Sequence, residues 1–282
     1  MTHYQGYLIY ELDNESLAHY YQDKQNWMEQ EPKESFINNE YIFITSKEKP
    51  EQVLDIWKFQ NDRFDLINNS KIISSFGGTI RPRNAEQKAA IDMLHDENTP
   101  IKLITGCFGS GKTMLLVSAA LEALEKNQFS KIIWVRNNVQ VKDTDALGAL
   151  PGSELDKMLP YVMPMADHCG GIEGIKKMLA EGTLEVIPLG FLRGRSIRDA
   201  IIISSESENL TKEHIQLIMG RVDQGSELWM DGDIKQRDRA TFEKSQGLEI
   251  MIDRLKGQKL FGYIHLNKSE RSPTAAMADL LD

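Results

Sequence analysis

The sequence predicts an α/β protein: a three-layer domain built on a parallel sheet, preceded by a small β-rich module. Three observations predict it. From residue 101 onward, short and mostly unbroken apolar runs recur (IKLITG, KIIWVR, TLEVIPL, DAIIIS, ELWMDG and GYIHL), the composition of strands buried on both faces. Most are separated by helical or loop segments long enough to cross from one parallel strand to the next. A glycine-rich stretch, GCFGSGKT at 106–113, joins the first of these runs to the clearest helix of the chain.

At 282 residues with 41% hydrophobic content, the chain holds enough apolar material for one sizeable core and a small second one. With 33 Lys and Arg against 42 Asp and Glu, the formal charge is -9, so no overall basic field draws it to nucleic acid and any such contact must be local. Cys107 and Cys169 are the only cysteines, too few for a disulfide framework or a four-thiolate metal site, and this usage suits a reducing compartment. The N-terminal MTHYQGYLIYELDNESLAHYY carries acids where a secretory leader needs a basic start and an unbroken apolar run. No stretch approaches the roughly 18 consecutive apolar residues of a membrane span. The expectation is a cytoplasmic protein without a membrane segment.

Taken in order, residues 1 to about 35 read as a polar lead-in, with YYQDKQNWMEQEPKES as a helical turn or two that break at Pro32. EYIFIT at 40–45, then VLDIWKF and RFDLI, are β-branched and aromatic runs divided by turn-formers, which predicts two or three antiparallel strands. The module is expected to end near Phe76, and Gly77 and Gly78 divide the chain into 1–76 and 77–282. AEQKAAIDMLHD reads as a helix that sets Ala85, Ala89, Ile91 and Leu94 on one face. TMLLVSAALEALEKN is stronger: Leu116, Ala120, Leu121 and Leu124 recur at helical spacing, Glu122 and Lys126 form an i,i+4 pair, and Asn127 can close the helix. LTKEHIQLIMGRV opens on Thr211 as N-cap, with Ile215, Ile218 and Met219 on one side.

Chemistry collects at the ends of the predicted strands. Gly106, Gly109, Gly111, Lys112 and Thr113 satisfy GxxxxGK[ST] between a buried strand and a helix, the context that turns this pattern into a phosphate site. Backbone N–H groups of the loop from Gly106 through Cys107, Phe108, Gly109, Ser110 and Gly111 wrap a phosphate there, assisted by the helix N-terminus. Lys112 reaches the β- and γ-phosphates of a nucleoside triphosphate, and the Thr113 hydroxyl takes one Mg²⁺ position. Cys107 reads as a small space-filler rather than a nucleophile. Upstream, Gln87 offers an amide that complements an adenine edge, or else is a solvated helix-face residue.

IIISSESEN follows a buried strand at the carboxyl edge, where such sheets bind ligands. A phosphate-hydrolysing site places an aspartate there for the Mg²⁺ shell and a glutamate to polarise the attacking water. Here Ser205 holds the aspartate position and Glu206 the glutamate position, so Glu206 reads as catalytic or metal-linked, with Ser205 beside it at the metal. The Ser205 hydroxyl can hydrogen-bond a metal-bound water but brings no negative charge. Glu208 restores that charge if the chain turns its carboxylate toward the γ-phosphate; otherwise Glu206 and Glu208 begin a polar loop and cap the next helix. Asp233 and Gln236, in MDGDIKQRD, follow the next buried strand and suit sensing of the terminal phosphate, or form an Asp-Gly turn. Arg271, in LNKSERSP, is placed to stabilise charge on the transferred phosphoryl, from its own subunit or a neighbour's, or is a surface arginine. Arg193, Arg195 and Arg198, in FLRGRSIRD, form a local basic cluster suited to the phosphate backbone of single-stranded RNA, or a solvated loop.

With these motifs in this order, the chain from about Ile80 to Ser272 resembles the PhoH-like ATPases, relatives of the superfamily one helicase motor core. NAEQKAAI is similar to the family's adenine-side glutamine motif, and GCFGSGKTMLLVSAALEAL to its Walker A helix. VRNNVQVKDTDALGALPGSELDKMLPYVMPM, LRGRSIRDAIIISSESENLT, GDIKQ and ERSP resemble its later blocks. NNEYIFITSKEKPEQVLDIWKF resembles the β segment that precedes the ATPase core in members fused to a PIN ribonuclease domain. No PIN domain fits the residues ahead of it, so no nuclease activity is expected.

The resemblance implies a RecA-like P-loop NTPase fold with ATP and Mg²⁺ as ligands. It implies Lys112 and Thr113 on phosphates and metal, Glu206 as base, Asp233 and Gln236 as sensor, and Arg271 as a finger. It further implies RNA-linked, helicase-like work and a ring-shaped homo-oligomer, a hexamer. The chain departs from the family pattern at Ser205, which replaces an aspartate, at Glu208, which replaces a glutamine, and at Asn137, which replaces the proline after Arg136. The expected function is weak or conditional ATP hydrolysis, reduced by Ser205, coupled to RNA binding. The alternative is an ATP-binding scaffold or sensor that does not turn over, and a small-molecule kinase is a third reading that GDxxQ and the late arginine disfavour.

Overall fold

Turn-punctuated aromatic runs and long apolar runs fold into separate sheets that share a core. The computed structural model describes residues 4–68, 70–136, 162–234 and 246–270. The first sheet is formed by β1 (Tyr7–Leu12), β2 (Glu40–Ser46), β3 (Lys49–Gln60) and β4 (Arg63–Leu66), in that spatial order. β2–β3 and β3–β4 are antiparallel, as their short turns require. β1 instead joins parallel to β2, with Tyr7 beside Tyr41. The stretch expected to be a polar lead-in is therefore partly a strand; YLIYEL sits at a sheet edge with only Leu12 buried, which hides the strand pattern. Two short helices, α1 (Asn14–Gln22) and α2 (Lys24–Glu29), make the crossover that a parallel pair needs, capped by Asp13 and Asp23.

β2 is buried on both faces. Ile42 and Ile44 meet Trp57, Tyr20 and Met28 beneath α1 and α2, whereas Tyr41 and Phe43 turn the other way, into the cluster formed by Ala89, Ala90 and Ile91 of α3 (Ala85–His95). β5 (Ile72–Ser74) and β6 (Gly78–Ile80) form a two-stranded hairpin. The expected boundary after Phe76 falls inside the turn of this hairpin, and Ile72 is fully buried in the same core as α4 (Lys112–Glu125). Asn39 binds the module to the second sheet, its side-chain Nδ2 lying 2.9 Å from the Phe261 carbonyl.

The second sheet contains β7 (Ile101–Gly106), β8 (Lys131–Arg136), β9 (Leu184–Pro188), β10 (Ala200–Ser204), β11 (Glu227–Gly232) and β12 (Phe261–Leu266), in the order β12-β7-β11-β10-β8-β9. Every pairing is parallel. Ile201, Ile203, Trp229 and Ile264 face α3, α4 and α5 (Gly171–Glu181). Ile202, Leu228, Met230 and Tyr263 face α6 (Lys212–Met219) and α7 (Gly247–Leu255). Burial on both faces explains the unbroken apolar runs, and the three-layer, RecA-like arrangement is the one expected. The strand that leads into the phosphate loop, β7, is not next to β10; β11 lies between them. Among the described residues, no helix is long and apolar enough to cross a membrane.

Candidate functional site

Parallel strands bring their carboxyl ends to one edge, so Gly106, Ser204, Gly232 and Leu266 end side by side. Gly111 has a φ of 89° and caps α4 without any side-chain bond, so no side chain quenches the positive end of that helix. Gly106 is required for a different reason: a Cβ there would stand 2.4 Å from the Leu266 carbonyl oxygen. Lys112 Nζ donates to the Gly106 and Cys107 carbonyls at 2.8 and 3.0 Å, so the ammonium folds back over its own loop. Thr113 follows in the first turn of α4, Phe108 is exposed, and Cys107 Sγ lies 3.5 Å from the Asn267 carbonyl.

Gln87 is 2% exposed and uses both ends of its amide within the protein. Its Nε2 donates to the Ser110 carbonyl at 2.9 Å, and its Oε1 accepts from Arg83 N at 2.9 Å. In this structure the side chain braces the phosphate loop, a role that sequence reasoning did not assign. The chain after β12 is tied to the same loop: Glu270 N donates to the Gly109 carbonyl at 3.0 Å. Arg83 and Asn84 donate to the Glu270 carbonyl and carboxylate at 2.8 and 2.6 Å. Arg271 is next in sequence, but it lies outside the described residues, as do Gln236 and Asn137.

At the end of β10, Ser205 is buried and Glu206 is exposed with a φ of 52°, starting a tight turn over Ser207–Asn209. This turn carries Glu208 across to β11, where its Oε2 accepts from Asp233 N at 3.3 Å. Burial pushes the Glu208 carboxyl up to about 7, and the neighbouring Asp231 and Glu206 charges push the same way.

Asp231 was passed over by sequence reasoning. It is 1% exposed on β11; its Oδ1 accepts from Glu206 N at 2.9 Å, and its Oδ2 has no hydrogen-bond partner among the described residues. The available signal was a carboxylate inside the apolar run ELWMDG, where an ion is costly to bury unless something pairs with it. Three more polar atoms at this edge, Ser110 Oγ, Asn209 Oδ1 and Ser269 Oγ, are likewise buried without a partner among the described residues. A cradle of glycine backbone, a lysine, an uncapped helix end and orphaned polar atoms fits a polyphosphate accompanied by Mg²⁺.

The basic cluster lies elsewhere. Arg198 precedes the start of β10, at the amino edge of the sheet, and pairs with Asp223 at 2.8 Å. Arg195 pairs with Glu185 at 2.8 Å; of the three arginines, Arg193 alone is exposed with no ion pair to another described residue. A cleft of about 620 Å³ also opens at the amino edge, where its polar groups satisfy one another through the buried Lys102–Glu227 pair and a Trp229–Glu227 hydrogen bond.

A family model described as PhoH-like protein matches residues 79–279. Protein PhoH2 of Thermobispora bispora is 39% identical over 202 residues, covering 70% of this chain and 46% of that protein. Protein PhoH2 of Bacillus subtilis is 35% identical over 213 residues, covering 72% of this chain and 48% of its own length. The chain thus spans about half the length of the curated relatives it matches. Among solved structures, the large terminase of a thermophilic bacteriophage is a distant likeness, with a TM-score of 0.41 and 11% identity over 71% of this chain and 50% of its own.

Proposed function

The chain belongs to the PhoH-like protein family, and from that premise we propose that it binds ATP with Mg²⁺ at the carboxyl edge of the sheet and hydrolyses it. The observation that carries this reading is the phosphate loop, with Lys112 folded over the Gly106 and Cys107 carbonyls beside the uncapped start of α4. Lys112 exchanges those carbonyls for the β- and γ-phosphates. Thr113 and Ser205 offer hydroxyls to the metal and its water, and Mg²⁺, when bound, draws negative charge from the phosphate oxygens. Glu206, exposed at the strand end with its backbone fixed on Asp231, takes the proton of the attacking water. Asp233 anchors the sensor segment that Gln236 continues, and Arg271 stabilises charge on the transferred phosphoryl.

The finer parts of the proposal are helicase-like coupling to single-stranded RNA and assembly into a homo-oligomeric ring. Family membership supports both, and the exposed Arg193 supports the first. A second reading, ATP as a ligand that is not turned over, is favoured by Ser205, which puts a neutral hydroxyl where the metal shell takes an aspartate.

Single-turnover phosphate release with Mg²⁺ or Mn²⁺ separates the two. Release by the native chain that Lys112→Ala and Glu206→Gln both abolish is the result expected of an ATPase. ATP binding without release selects the scaffold reading, and no binding at all rejects both. Light scattering in ATP tests the ring, which a monomer mass would rule out.

A further inference from the structure

Position 205 lacks an acid, but its lateral neighbour is one. β10 and β11 run parallel with Ser204 beside Met230. Carrying that register one residue further sets Ser205 beside Asp231. Side chains alternate along a strand, and Ile203 and Trp229 both pack on the α4 side of the sheet, so Ser205 and Asp231 share that side. It is the side on which the phosphate loop runs into α4. β11 also pairs directly with β7, where Asp231 stands beside Ile104, two positions before Gly106. In the order β7-β11-β10, Asp231 is therefore one strand closer to the loop than Ser205 is.

The burial of Asp231 requires an explanation. One oxygen accepts the Glu206 backbone N–H, and the other has no partner among the described residues although the side chain is almost completely enclosed. The turn that Asp231 holds carries Glu206 and Glu208, acids that cannot pair with a carboxylate. Glu208 shows no such deficit: among the described residues neither of its carboxylate oxygens is both buried and without a partner. A half-satisfied carboxylate beside a polyphosphate cradle is relieved by a divalent cation.

We infer that Asp231 supplies the negative charge that Ser205 does not, in the Mg²⁺ shell of a bound nucleoside triphosphate, so that the acidic role sits on β11 instead of β10. The inference rests on the nucleotide reading above. Ser205 keeps a hydroxyl for the metal's water, and Asp231 additionally fixes Glu206 through its backbone.

The test is the affinity of the full chain for a fluorescent ATP analogue, measured with Mg²⁺ and with excess EDTA. Native protein, Asp231→Asn and the double variant Ser205→Asp/Asp231→Asn are compared, with melting curves recorded in the absence of nucleotide. Mg²⁺ is expected to strengthen native binding, and Asp231→Asn to cut that gain about tenfold while leaving affinity in EDTA within about twofold. The double variant, which moves the carboxylate back to β10, is expected to recover most of the gain. Asp231→Asn is expected to melt no lower than native, since it removes an underpaired buried charge. Native-like Mg²⁺ dependence in Asp231→Asn overturns the inference, as does an equal loss with and without Mg²⁺. A folded double variant that recovers nothing overturns it too. If the native chain binds the analogue under neither condition, the nucleotide reading fails first and the inference falls with it.

Discussion

Gln87 donates its side-chain amide to the carbonyl of Ser110, in the middle of the phosphate loop, at 2.9 Å. With its other end on Arg83 N, it makes the start of α3 and the loop one hydrogen-bonded unit. Gln87→Leu preserves most of the volume but leaves Ser110 O and Arg83 N unpaired in a buried place. The expected cost is about 1–3 kcal/mol in thermal or denaturant unfolding. ATP affinity should fall as well, because the loop is no longer held in shape. A variant with native melting and native affinity would show that the brace carries no load.

Gly106 is limited by contact with backbone. An alanine Cβ would lie 2.4 Å from the Leu266 carbonyl and 3.1 Å from its carbon, atoms that cannot rotate away. Gly106→Ala should therefore separate the end of β7 from β12, lower stability by about 1–3 kcal/mol and abolish nucleotide binding. Gly190→Ala is the control, because a Cβ there meets nothing within 4 Å. It should leave melting and binding unchanged within about 0.5 kcal/mol.

The joint between module and sheet predicts acid sensitivity. Burial would raise the Asp96 carboxyl, but the Lys58 ammonium and hydrogen bonds from Lys58, Thr99 and Asn98 N outweigh it and hold the group well below the usual carboxylate range. A depressed carboxylate contributes stability that is complete above its unfolded value of about 4 and is lost as pH falls from there toward the folded value. Melting temperature should therefore drop as pH falls below about 4, and less steeply in Asp96→Asn. At neutral pH Asp96→Asn should itself cost about 3–5 kcal/mol, because it strands the buried Lys58 charge. Equal acid sensitivity in both proteins would count against this pair as the titrating element.

What was legible in the sequence was whatever is local. The phosphate loop is contiguous, the buried strands are unbroken apolar runs, and Thr211 caps its helix while Asn127 closes α4 at a φ of 55°. What was hidden depends on which strands become neighbours. Asp231 and Ser205 are adjacent only because β11 inserts between β7 and β10, an order that chain sequence does not state. Gln87 and Ser110 meet only because α3 docks beside the loop. β1 escaped because an edge strand with one buried residue lacks the periodicity that betrays a strand.

The arginine cluster makes the last prediction. Arg195 and Arg198 are matched by Glu185 and Asp223, so most of their charge is already spent, whereas Arg193 is exposed and outside any ion pair among the described residues. If single-stranded RNA binds here, Arg193→Ala should weaken it and reduce the slope of log affinity against log salt by about 0.7, the share of one phosphate contact. Arg198→Ala should change the slope less, because Asp223 already offsets its charge. Asp223→Asn should do the opposite and strengthen binding by freeing Arg198. Binding titrations of a labelled oligoribonucleotide at several salt concentrations decide the matter. Affinity that ignores salt and all three substitutions would make this loop an ordinary charged surface, with its ion pairs serving only to fasten the approach to β10.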